Sequence, residues 1–159
     1  MQRIACKSVA KDVGNMKILF VCHGNICRSP MAEFIMKDLC KNENYIIESF
    51  ATSYEEIGND LYYLAKDVLK KNNIPYKLHK ARRITKEDFN SADYVIVMDD
   101  NNLYNLKRIV GINSKIYKLN NFIGSNKDID DPWYTRRFDE CFKEIKTACI
   151  ALKEKLDNK

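Results

Sequence analysis

The chain has 159 residues, 45% of them hydrophobic, which suits one domain with a continuous buried core. No apolar run approaches the length of about 18 residues that a membrane span needs, and residues 1–15 (MQRIACKSVAKDVGN) lack the apolar block of a secretory signal, so a cytoplasmic protein without a membrane span is expected. The net charge of +5 suits an anionic partner, but the densest basic cluster, Lys77, Lys80, Arg82, Arg83 and Lys86, has no interleaved aromatics and reads as a solvated face, not a nucleic-acid platform.

Residues 1–15 have weak periodicity and read as a flexible extension ahead of a single domain over residues 16–159. KILFVC, Lys17 to Cys22, is a short apolar run of the kind buried on both faces of a parallel sheet. After a loop, Ser29 as N-cap and Pro30 at the first helical position predict a helix in which Met31, Phe34, Ile35 and Leu39 recur at helical spacing. YIIESFA, Tyr45 to Ala51, predicts a second strand. A helix opening at Asp60 carries Leu61, Leu64, Ala65, Val68 and Leu69 on one face and stops at NNIP. Tyr94 to Met98 predicts a third strand, followed by a helix capped by Asp99 or Asp100, and SKIYKL predicts a shorter fourth strand. A loop from Asn120 to Pro132 leads to a closing helix in which Phe138, Cys141, Phe142, Ile145, Ala148, Cys149 and Leu152 keep a three-four rhythm.

Strand alternates with helix, which predicts an α/β fold: a parallel sheet with helices on both faces, joined by right-handed crossovers. Such folds bind ligands beyond the carboxyl ends of the strands, near a topological switch point. The segment CHGNICRS, Cys22 to Ser29, lies at that end of the first strand. The six cysteines, at 6, 22, 27, 40, 141 and 149, include no C-x-x-C pair and the chain has only two histidines, which argues against a structural zinc site. Cys40, Cys141 and Cys149 read as small buried hydrophobes.

A loop running from a strand into a helix N-terminus turns successive backbone N–H groups into one concavity, which is an anion site before any side chain is considered. Gly24 and Asn25 tolerate the left-handed backbone that a tight cradle needs. Cys22 stands at one end of this cradle, where the positive surroundings favour the nucleophilic thiolate. Arg28 stands at the other, with a planar fork able to grip two phosphate oxygens. Ser29 is a candidate to donate its hydroxyl to the sulfur and help it leave again in a two-step reaction. Cysteine and arginine six apart are a weak signal alone; their position between a buried strand and a Ser-Pro helix start gives it weight.

Sulfur attack on a phosphoryl group also needs a proton for the leaving oxygen. In DIDDPWY, Pro132 holds Asp131 in extended geometry just before the last helix, and Trp133 and Tyr134 offer a flat wall for an aromatic leaving group. Tyr54, in SYEE, is a candidate for the opposite wall. Cys27, five residues from Cys22 in a curled loop, is a candidate redox partner for it.

The segments VCHGNICRSPMAE, ATSYEEIG, ARRITKEDF, VMDDNNL and DPWY, in this order, resemble the low-molecular-weight protein tyrosine phosphatases over residues 16–156. The resemblance implies a three-layer α/β/α fold of the flavodoxin-like, phosphotyrosine phosphatase I-like kind, with a four-stranded parallel sheet in the order 2-1-3-4. It implies hydrolysis of phosphotyrosine and small aryl phosphates through a phosphorylated Cys22, and phosphate held by His23, Gly24, Asn25, Ile26, Cys27 and Arg28. Asp131 is the implied general acid and then general base, with no metal and no cofactor; inorganic phosphate and other oxyanions are the implied inhibitors. Asn25, Ser29, Ser49 and His79 are implied to form a hydrogen-bond network that holds the loop, which makes His79 structural and not a base. Asp99 matches a family acid near the arginine, beside its plain reading as a helix cap.

Two positions depart from the family pattern. His23 stands where relatives often have an apolar residue or threonine, and Trp133 replaces the first of the paired tyrosines of animal members, leaving Tyr134 as the remaining tyrosine for modification. Alternatives of the same fold differ at identifiable places. Arsenate reductases need additional cysteines on a mobile segment, and residues 41–140 have none. Protein-arginine phosphatases tend to have threonine where this chain has Ile26. A non-catalytic phosphopeptide-binding or redox-sensing module would share the cradle but has no need of Asp131.

Overall fold

Beyond Lys17 every residue of β1 (Lys17–Cys22) is buried, because the strand is hydrogen-bonded on both edges and covered on both faces. It pairs in parallel with β2 (Ile46–Ala51) on one side and β3 (Tyr94–Val97) on the other, and β3 pairs with β4 (Ile116–Lys118). The resulting order, β2-β1-β3-β4, is the expected 2-1-3-4. The structure is a computed structural model that describes residues 16–111 and 115–158. The expected flexible extension, residues 1–15, lies outside the described residues, as does the start of the expected fourth strand.

Alternation along β1 divides the core. Ile18, Phe20 and Cys22 face a layer made by α1 (Arg28–Leu39), α2 (Tyr63–Lys71) and α6 (Phe138–Asp157), with Met31, Ile35, Leu69 and Ile145 fully buried there or nearly so. Leu19 and Val21 face the other layer, closed by Phe89 of α3 (Lys86–Ser91) and Leu106 of α4 (Asp100–Val110). Cys40, Cys141 and Cys149 are buried apolar residues as expected, and burial raises their thiols, Cys40 to about 11 and the others further.

Several boundaries differ from the sequence reading. Ser29 does not cap α1. The cap is Cys27, whose carbonyl accepts from the N–H of Met31 at 3.0 Å, and Pro30 sits at the third helical position. That position still lacks an intrahelical donor bond, so proline costs nothing there. Helix α2 begins at Tyr63 and not at Asp60, whose carboxylate instead accepts from the backbone N–H groups of Leu61 and His79. Two short helices went unpredicted: α3, fixed by a reciprocal capping box between Thr85 and Asp88, and α5 (Pro132–Thr135), capped by Asp131. A 3-10 helix covers Leu119–Ile123.

The chain leaves β1 for β2 on one side and later returns to β3 on the other. The carboxyl end of β1, where residues 22–28 curl into α1, is therefore the switch point of the sheet.

Candidate active site

The sulfur of Cys22 ends β1 and receives donors from the loop that follows. The backbone N–H of Asn25 donates to Sγ at 3.3 Å and that of Ser29 at 3.4 Å, while the Ser29 hydroxyl lies 3.0 Å away. The direction of that last bond follows from its neighbours. Asn25 Oδ1 accepts from the N–H of Arg82, which orients the amide, and its Nδ2 gives one proton to Ser29 Oγ at 2.8 Å and one to Ser49 Oγ at 3.0 Å. The Ser49 hydroxyl then donates to Glu33 Oε1 at 2.6 Å. Ser29 keeps its own proton for an acceptor, and the nearer one is the Cys22 sulfur, since the carbonyl of Phe50 is 3.4 Å away. Three donors thus converge on one sulfur.

Asn25 holds this shape from the backbone as well. Its φ of 62° lies in the left-handed region, which only asparagine, aspartate and glycine visit readily. Its carbonyl accepts from His79 Nε2 at 2.7 Å, so that ring nitrogen carries the proton and His79 is a strut for the loop. Gly24, by contrast, has no positive φ. A side chain there would approach Cγ of Glu56 to 3.3 Å, so its smallness serves close packing.

Arg28, 2% exposed, is fixed along one edge. A single nitrogen, Nη1, donates to Asp99 Oδ2 and to the carbonyl of Ile129, both at 2.7 Å. Nη2 lies 3.5 Å from Asp131 Oδ2, and Nε has no protein partner among the described residues. Burial works against the arginine charge, but Cys22, Asp131 and Asp99 outweigh it and hold its pKa above the ordinary range. The opposite happens at Cys27, where burial, with Cys22 and Asp131 nearby, pushes the thiol well above the usual cysteine range. Cys22 and Cys27 are both buried and free.

Asp131 caps α5, accepting from the N–H of Trp133 at 3.0 Å through Oδ1 and leaving Oδ2 toward Arg28. Its side chain is 25% exposed, within reach of both solvent and the cradle. A cavity of about 140 Å³ is lined by residues 22–28, Glu55, Glu56, Asp131, Trp133 and Tyr134. One concave site thus joins a sulfur with its backbone donors, a buried cation and a carboxyl group, the parts of a phosphoryl-transfer centre.

Residues 17–159 match the family model described as low molecular weight phosphotyrosine protein phosphatase. The chain belongs to that family. The phosphatase of this name from Rattus norvegicus is 37% identical over 155 residues, covering 91% of this chain and 98% of its own. Among solved structures, SP-PTP, a low molecular weight protein tyrosine phosphatase from Streptococcus pyogenes, is 39% identical with a TM-score of 0.80 over 89% of this chain and 93% of its own. YfkJ from Bacillus subtilis is 32% identical with a TM-score of 0.87 over 92% and 97%.

Within this low-molecular-weight phosphatase, the rim differs from the sequence reading. Trp133 and Tyr134 line the mouth as expected, but Tyr54 does not. It is exposed, with the Arg83 guanidinium over its ring at 4.4 Å, and Glu55 and Glu56 line the cavity in its place. His23 answers to Glu55, its Nε2 lying 3.1 Å from Oε1.

Three further contributors, Glu33, Tyr62 and Arg136, were missed, and a fourth was read only in part. Asp99 was weighed, but cap and arginine partner turned out not to be alternatives: Oδ1 accepts from the N–H of Asn102 at 2.7 Å and Oδ2 from Arg28. Glu33 closes the serine network and pairs with Lys37 at 2.6 Å, an i,i+4 signal readable on α1. Tyr62 packs against Trp133 with centroids 4.7 Å apart, and Arg136 donates to its hydroxyl at 2.8 Å. No local pattern marks Tyr62 or Arg136, because their roles depend on α2 meeting α5.

Proposed function

We propose that this phosphatase hydrolyses phosphotyrosine in proteins and peptides, and small aryl phosphates, through a phosphorylated Cys22. The phosphoryl oxygens sit in the loop of His23, Gly24, Asn25, Ile26, Cys27 and Arg28, with the Nε and Nη2 edge of Arg28, the one away from Asp99, gripping two of them. The Cys22 thiolate attacks phosphorus in line, forming the S–P bond as the P–O bond to the phenol breaks, and Asp131 gives its proton to the departing oxygen. Asp131, now a carboxylate, takes a proton from the water that cleaves the S–P bond. The hydroxyl and N–H of Ser29 receive the returning thiolate. Trp133 and Tyr134 flank the substrate ring.

The observation that carries this reading is the convergence of three donors on Cys22 Sγ while Arg28 and Asp131 face the same cavity. The test is rapid-quench mass spectrometry during turnover of an aryl phosphate: wild-type protein acquires one phosphoryl group on Cys22, and Cys22→Ser acquires none while retaining phosphate affinity. Phosphorylation at another residue overturns the assignment. Inorganic phosphate and related oxyanions compete for the same loop. The free thiols at 22, 27, 40, 141 and 149 fit a reducing, cytoplasmic compartment, and no helix among the described residues is long and apolar enough to cross a membrane.

A further inference from the structure

A second concavity, larger than the catalytic one, opens on the α3–α4 face of the sheet. This groove, of about 590 Å³, runs between Thr52, at the end of β2, the segment Arg83–Lys86 and the last turns of α4, where Asn105 and Arg108 line it. Three cations border it and no carboxylate does. Among the described residues none of Arg83, Lys86 and Arg108 pairs with an acid, and the nearby Asp88 is turned back onto Thr85 by the capping box. The floor contributes an independent sign. Thr52 is 7% exposed, and its hydroxyl is one of two buried side-chain polar atoms with no hydrogen-bond partner among the described residues. A buried hydroxyl without a partner is costly and rare in a folded protein.

The groove adjoins the catalytic mouth. Thr52 N–H donates to the carbonyl of Cys22 at 2.9 Å, and Arg83 stands beside this link, its Nε donating to the carbonyl of Thr52 at 3.1 Å and its guanidinium lying on Tyr54. The basic cluster read from the sequence as a solvated face is thus divided: Lys77, Lys80 and Arg82 are exposed, whereas Arg83 is half-buried and aligned with Lys86 and Arg108 along one cleft.

We propose that this groove is a second oxyanion site, binding a carboxylate or phosphoryl group on the peptide chain that flanks the phosphotyrosine. The proposal rests on the phosphotyrosine reading of the catalytic site and adds a substrate preference to it. Arg83, held by Tyr54 and Thr52, is the preorganised part; Lys86 and Arg108 supply long-range attraction.

The test compares two phosphotyrosine peptides, one with glutamates on both sides of the phosphotyrosine and one with glutamines, alongside a small aryl phosphate with no flank. Wild-type protein turns over the glutamate peptide with a lower KM, by about three- to tenfold, and the advantage shrinks as salt rises from tens to hundreds of millimolar. Lys86→Gln/Arg108→Gln, at two exposed positions, reduces the difference severalfold and leaves the glutamine peptide and the aryl phosphate unchanged. Equal KM for the two peptides in wild-type protein, or an equal loss on all three substrates in the double variant, overturns the groove. Absence of all turnover overturns the catalytic reading instead. In that case the same comparison is made by fluorescence anisotropy of the labelled peptides, where equal affinities again count against the groove and a glutamate preference weakened in the double variant supports it.

Discussion

Asp99 divides its two carboxylate oxygens between a helix and an arginine: Oδ1 accepts from the N–H of Asn102 and Oδ2 from Arg28 Nη1, both at 2.7 Å. The two tasks separate by substitution. Asp99→Asn keeps a capping oxygen but removes the charge facing Arg28, whereas Asp99→Ala removes both. The expected order of stability is wild type, then Asn, then Ala, with the alanine variant about 3 kcal/mol below wild type because a buried guanidinium loses its counter-charge and a helix loses its cap. Added phosphate supplies an anion beside Arg28, so it raises the unfolding midpoint more in the variants than in wild type. Thermal unfolding with and without phosphate measures both; equal phosphate shifts in all three proteins would show that Asp99 does not balance the arginine.

Replacing Ser29 by alanine separates the two halves of the reaction. The hydroxyl assists the sulfur as it leaves phosphorus, so Ser29→Ala slows hydrolysis of the phosphorylated Cys22 more than its formation, by about tenfold or more. Pre-steady-state kinetics then show a burst of phenol followed by slower turnover. A fall in the burst rate matching the fall in steady-state rate would place the hydroxyl elsewhere in the mechanism.

Asp131→Ala is predicted to separate substrates by their leaving groups. Across a series of substituted phenyl phosphates, phenols of high pKa suffer most, because they need the proton, and nitrophenols least. A uniform loss along the series is the result that rules out proton donation by Asp131.

Peroxide inactivation tests Cys27. Peroxide converts the Cys22 thiolate to a sulfenic acid with release of water, and the Cys27 thiol then displaces a second water to form the disulfide. The same oxidation removes the Cys22 charge, one of the influences that hold the Cys27 thiol above its ordinary range. Wild-type protein therefore recovers with dithiothreitol, while Cys27→Ala proceeds to the sulfinic acid and does not. Full recovery of the variant would end the protective role.

Asp60 carries a pH dependence. Burial opposes its charge, but the donors Lys66 Nζ, His79 N–H and Leu61 N–H outweigh it and hold its pKa below the ordinary carboxylate value. The stability it supplies is complete above the ordinary value and is lost as pH falls through the depressed one. Since His79 braces Asn25, acid unfolding of wild type and Asp60→Asn should differ: the variant has a flatter acid limb. Identical limbs in the two proteins would remove Asp60 from the account.

Much of this was readable in the linear chain where one local cause governed. Cys22, Arg28 and Asp131 stood out because strand end, helix start and a following proline each leave a mark on neighbouring letters. The strand order needed the family resemblance, since alternation of strand and helix does not say which edges pair. Ser29 was misplaced as a cap because cap preference cannot see a sulfur arriving from β1, which claims both its N–H and its hydroxyl. Tyr54 was misplaced for a similar reason: its ring lies under Arg83, twenty-nine residues away, and does not line the cavity. His23 remained unassigned until Glu55 appeared at its side.

The cap at Asp99 also fixes a length. Arg28 is fastened to the first turn of α4, and Arg108, near the other end of that helix, lines the second groove. Arg108 lies nine residues on from Asp99, about 13 Å of rigid rise. An extended peptide covers that distance in roughly four residues. A peptide that filled the catalytic loop and the proposed second oxyanion site together would be measured against this rigid span, with its acidic side chain about four residues from the phosphotyrosine.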